Sequence, residues 1–128
     1  MNSDLLFQQH EQYEDLTEHF SEYTNLDLRS NLCKLLQTNL IYSYCESLIV
    51  KEVEGDREKI GQILQHHKSG ERDLLNKQMP LEMLFELRKI ETELETNMMS
   101  REGLVGSILN LIVENTLLNS TLSKFACC

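Results

Sequence analysis

Apolar residues recur along this chain at alternating spacings of three and four, a pattern that admits little besides helices packing on helices. Leu28, Leu32, Leu35, Tyr42, Ile49 and Val53 keep it over one long stretch, with Asn39 and Glu46 standing on the same seam. Leu36, Leu40, Ile41 and Leu48 widen that face. Met83, Leu87, Ile90 and Leu94 repeat the spacing further on, and Leu84 and Phe85 broaden it early. Near the start, Leu6, Tyr13, Leu16, Phe20 and Tyr23 form a third seam, with Gln9 filling one slot. Period-2 alternation of β-branched residues is absent, there is one proline, and good helix formers dominate. The fold expected is all-α, with four to five helices forming an elongated helical hairpin or coiled-coil bundle.

Punctuation divides a single helical domain, 1–128, into three parts. The first, 1–27, is an acidic aromatic N-terminal helix from about Asp4 to Tyr23, closed by a break at Asn25 and Asp27. The second, 28–98, holds coiled-coil-like helices. The spacing predicts one from Leu28 to Glu54 and one from Arg57 to Gln78. The polar run His66–Arg72 frays, kinks or loops the latter. Met79-Pro80 then starts a helix that runs to about Asn97, because proline suits a first helical turn. Glu86 and Lys89 are spaced for an ion pair. The third part, 100–123, begins at Ser100 as N-cap. Leu104, Val105, Ile108, Leu109, Leu111, Ile112, Val113, Leu117 and Leu118 make it apolar nearly all round, so burial from several sides is expected.

The net charge of −9 is unevenly placed. Residues 1–27 hold seven acids and no Lys or Arg, leaving 14 acids and 12 bases for the remainder. Such a chain is unsuited to neutralising phosphates, so direct nucleic-acid binding is not expected. The acidic arm either meets a basic partner or is a solvated face. A polar, acidic N-terminus carries no signal peptide pattern, and no apolar run is long enough to span a membrane. Cys33, Cys45, Cys127 and Cys128 fit neither a disulfide scaffold nor a zinc pattern, which points to free thiols in a reducing, intracellular compartment.

No constellation for chemistry emerges. His66 and His67 point about 100° apart on a helix, and Glu71, four after His67, offers at most a weak two-ligand set. Gly103 and Gly106 lack the Lys and Ser/Thr of a phosphate loop, leaving close helix packing or a frayed helix start as their reading. No nucleophile elbow is present. No catalytic, cofactor-binding or metal residue is assigned. The seams instead suggest association with other helical proteins, as a hetero-oligomer or a homodimer. The partner-binding positions expected are Leu6, Tyr13, Leu16, Phe20 and Tyr23 on the first helix and Leu32, Leu35, Tyr42 and Ile49 on the second. Leu87, Ile90 and Leu94 follow, then Ile108, Leu111 and Ile112.

A coiled-coil stretch followed by Ser100-Arg101 and by Leu104-Val-Gly-Ser-Ile-Leu-Asn-Leu-Ile-Val113 resembles the C-terminal part of the centromere protein H family, over about 30 of 128 residues. The resemblance implies a non-catalytic, hetero-oligomeric scaffold of the inner kinetochore, hence a nuclear location. Without it the expectation is a helical scaffold of unnamed assembly, or a self-contained adaptor that binds a peptide or basic partner through its first helix.

Overall fold

The first long helix begins with a reciprocal cap. The Asp27 carboxylate accepts from the Thr24 backbone N–H and the Thr24 hydroxyl accepts from the Asp27 N–H, each at 3.1 Å. Two donors that the helix cannot satisfy internally are thereby satisfied. The computed structural model describes residues 20–51 and 56–127. Among these it shows a single 3-10 turn, Phe20–Glu22, and five α-helices. They are α1 (Asn25–Lys51), α2 (Asp56–Ser69), α3 (Arg72–Lys77), α4 (Leu81–Glu95) and α5 (Arg101–Cys127). No strand occurs among the described residues, so the all-α expectation holds.

Helix ends follow local chemistry. Pro80 precedes the first residue of α4 in extended backbone, at φ −61° and ψ 152°. The Ser100 hydroxyl accepts from the Gly103 N–H at 3.1 Å, the N-cap expected for α5. The expected helical stretch 57–78 divides into two helices within the polar run His66–Arg72, where a loop was one of the expectations, because Gly70 adopts φ +75°. That left-handed conformation costs little only without a Cβ. The last helix runs four residues past its expected end, to Cys127.

α1 is the central member. At 27 residues it is about 40 Å long. α5, of equal length, runs parallel to it at a constant offset: Arg101 donates to Asn25 and Asn39 donates to Asn115, each pair separated by 76 residues. The same offset sets Leu28 beside Leu104, Leu32 beside Ile108 and Leu35 beside Leu111. α2 and α4 run antiparallel to α1. Thr38 meets His67 and Tyr44 meets Lys59 on the α2 side, while Gln37 meets Leu87 and Glu91 on the α4 side. Gln37 lies two residues from Leu35 and Asn39, about 200° around the helix. α4 and α5 therefore take opposite flanks of α1.

Two buried clusters result. One gathers Phe20, Leu28, Leu32 and Leu94 with Leu104, Ile108 and Leu109 at the beginning of α1. The other gathers Ile41, Cys45, Leu48, Ile60, Ile63 and Leu122 toward its end, together with Leu75, Met79 and Leu87. Each fully buried Leu or Ile contributes about 1.5–3 kcal/mol of hydrophobic stabilisation. Glu46, on the seam by spacing, is exposed. There the buried face of α1 rotates to Cys45 and Leu48, where α2 packs. α5 is buried at Leu104, Ile108, Leu109 and Leu122 but not all round: Leu117 is 58% exposed. Among the described residues, α5 packs mainly on α1 and α2, and Leu117 lies off that flank.

Candidate functional site

Of the seam positions expected to receive a partner, those among the described residues pack the chain's own helices together. Leu32, Leu87, Leu94, Ile108 and Phe20 are buried in the two clusters. Tyr23, Leu35, Ile90, Leu111 and Ile112 are half-buried against the first of them, and Tyr42 and Ile49 against the second. Leu6, Tyr13 and Leu16 lie outside the described residues. Phe20 and Tyr23 do not belong to a projecting arm. Their rings meet edge to face at 5.2 Å, and the Arg101 guanidinium donates to the carbonyls of Phe20 and Ser21. The turn leading into α1 is thereby fixed to the start of α5.

Exposed apolar surface lies elsewhere. Leu81 and Phe85, one turn apart on α4, are 66% and 62% exposed. They face away from Leu87 and Leu94, which bury the other side of the same helix. Arg88 and Lys89 follow on the next turn, both exposed. Lys89 meets Glu93 at 4.0 Å, and this pair replaces the expected Glu86–Lys89 contact. By spacing alone Leu84 and Phe85 both widen the seam, but only Leu84 turns inward. The signal for Phe85 was its four-residue spacing from Leu81, half a turn off the seam.

A second feature is a cavity of about 280 Å³ between α1, the end of α2, α3 and α4. Ile41, Leu75 and Leu87 form its apolar floor. Lys34, Arg72, His66 and His67 stand around it, with Thr38, Gln37 and Asn76. The Thr38 hydroxyl and His67 Nε2 share a hydrogen bond at 3.1 Å. Burial, and then the Arg72 charge, hold His67 below its ordinary pKa and favour the neutral ring. His66 Nδ1 is 3.3 Å from the Gln78 amide nitrogen, which also donates to Gln62 and so ties α2 to the segment after α3. An adjoining hollow of about 340 Å³ shares Lys34, Gln37 and Arg72 and adds Arg29, Glu91 and Glu95.

A hydroxyl on an imidazole nitrogen is half of a nucleophile–base set. Among the described residues no carboxylate hydrogen-bonds to the other His67 nitrogen. Nor do three His, Cys, Asp or Glu side chains converge there as metal ligands would. Cys45 is fully buried, and burial pushes its thiol up to about 12, leaving it protonated and inert at neutral pH. No helix among the described residues is long and apolar enough to cross a membrane. No protein-family model, curated protein or solved structure matches the chain.

Proposed function

We propose that this chain is a non-catalytic helical subunit of a multiprotein complex, and that it holds a helix of another protein against the outer face of α4. The observation that carries the reading is the exposure of Leu81 and Phe85 on a helix whose opposite face is already buried. A one-turn pair of a leucine and an aromatic ring is the kind of anchor that dominates helix-in-groove and helix-on-helix contacts. Arg88 beside it, with Lys89 already paired to Glu93, favours a partner helix with an apolar stripe and an acidic residue next to it. The parallel pairing of α1 with α5 supports a scaffold role, because it gives α4 a rigid backing. The inner kinetochore is the assembly implied by the resemblance over about 30 residues, the coiled-coil stretch and the run through Val113, and it enters the proposal on that ground alone.

The test is affinity purification of the full chain from its native cell beside the Phe85→Glu and Leu81→Glu variants. The reading expects a defined helical protein to co-purify with the unaltered chain and to be lost from both variants, whose helical content is unchanged. Equal recovery with all three chains would overturn the α4 face. Recovered centromere proteins would support the kinetochore assignment, and recovery of an unrelated assembly would remove it.

A further inference from the structure

We propose that the cavity between α1, α2, α3 and α4 binds a small organic anion, its carboxylate or phosphate held by Arg72 and Lys34 and its apolar body resting on Ile41, Leu75 and Leu87. This site is separate from the α4 face and does not depend on the reading given to it.

Charge is the first ground. The chain carries a net −9, yet no Asp or Glu lines this cavity. Glu91 and Glu95 belong to the adjoining hollow. The side chains of Lys34 and Arg72 make no hydrogen bond or ion pair with any described residue, although acids are plentiful. Two cations sharing a cavity repel, and an anion placed between them turns that repulsion into two attractions. The guanidinium fork suits both oxygens of a carboxylate or phosphate, and the ammonium adds a point charge.

Shape and polarity supply the second ground. Ile41, Leu75 and Leu87, 3%, 4% and 8% exposed, line the cavity with apolar side chains that have little surface open to solvent, a floor suited to an apolar group. A volume of about 280 Å³ approaches the lower end of small-molecule sites, roughly 300 Å³. Gln37, only 6% exposed, donates from Nε2 to the Leu87 carbonyl and to Glu91, both at 3.1 Å. Both partners are acceptors, which fixes the amide's orientation and leaves its carbonyl as an acceptor for a ligand hydroxyl or N–H. The turn at Gly70 sets the position of Arg72, whose backbone N–H donates to the Gly70 carbonyl at 2.9 Å.

The full chain is titrated calorimetrically, and its thermal midpoint followed, with phenyl phosphate, benzoate, inorganic phosphate and phenol. Saturable binding of phenyl phosphate or benzoate is expected, tighter than that of inorganic phosphate or phenol, and the tighter of the two names the head group. Arg72→Gln and Lys34→Gln each weaken it about tenfold, the loss of one charge-assisted contact, while Phe85→Glu leaves it unchanged. Both cations are exposed, and circular dichroism checks that their variants fold. Absence of saturable binding, or equal binding by the Arg72→Gln, Lys34→Gln double variant, overturns the proposal. So does inorganic phosphate binding as tightly as phenyl phosphate, which would remove the role of the floor.

Discussion

Asn39 donates through Nδ2 to Asn115 Oδ1 at 2.9 Å, joining two asparagines that occupy the same heptad position on parallel helices. Counting Leu28, Leu35, Leu104 and Leu111 as d positions, Asn39 and Asn115 both fall at a. A lone polar pair at a fixes register in two-stranded parallel coiled coils at some cost in stability. Here the two strands are α1 and α5 of one chain, and Asn115 also donates to the Leu35 carbonyl at 3.0 Å.

Removing half of this pair lowers stability, and replacing both halves raises it. Asn39→Ala leaves the buried Asn115 oxygen without its donor and costs about 1 kcal/mol. Leucine at both positions raises the unfolding midpoint but frees α1 and α5 to pair out of register or between copies. Denaturant unfolding with light scattering checks both effects. A double variant that is less stable than the parent, or that remains one monomeric species, would contradict the register role.

Two glycines respond oppositely to alanine. A Cβ at Gly106 meets nothing within 4 Å, so Gly106→Ala gains helix propensity and stabilises by about 0.5–1 kcal/mol. Gly70, at φ +75°, has equal room but the wrong backbone, and Gly70→Ala costs about 1–2 kcal/mol. Urea midpoints of the two variants should move in opposite directions. Movement in the same direction would place one of these backbone conformations in error.

Interior and outer apolar residues separate cleanly by stability. Leu104, with no exposed surface, loses about 2–5 kcal/mol on conversion to alanine. Phe85→Ala changes stability by less than about 0.5 kcal/mol despite its size. If Phe85→Ala proved as costly as Leu104→Ala, the outer face of α4 would be core and could not dock a partner.

Acid weakens the fold partly through His67. Its folded pKa lies below the unfolded value of 6.5, so the unfolded chain takes up the proton more readily. The contribution of the neutral ring is complete above pH 6.5 and is lost as pH falls through the lower folded value. His67→Gln keeps a partner for Thr38 and removes the titration. Urea midpoints measured down from pH 7.5 should fall less steeply for this variant. Identical slopes would show that His67 is not held neutral.

Helix positions and several of their ends were legible in the residues because they depend on local chemistry. The seam at 28–49, the stop at Met79-Pro80 and the Ser100 cap each act within a few residues. The direction of pairing was not legible. Short connections suggest antiparallel neighbours, and α2 and α4 do run against α1, yet the dominant partner of α1 is the distant and parallel α5. A heptad repeat states that a stripe is apolar, not which stripe covers it. For the same reason Leu32, Leu87 and Ile108 read equally well as an outward seam or as core. The glycines at 103 and 106 suggested close packing or a frayed start; a Cβ at Gly103, in the first turn of α5, would meet the Met99 side chain at 2.7 Å, whereas the space around Gly106 is open. The cavity is not legible in the sequence because Lys34, His67 and Arg72 come from three helices, and no short motif links them.

The pairing of Asn39 with Asn115 has a consequence for synthesis. The partner of each α1 residue emerges from the ribosome 76 residues later. At about 5–20 residues per second that is roughly 4–15 s. Throughout that interval Leu28, Leu32 and Leu35 have no α5 to cover them. The nascent chain therefore passes through a stage at which its longest apolar stripe is open to chaperones or to a neighbouring copy, and completion of the final helix closes it.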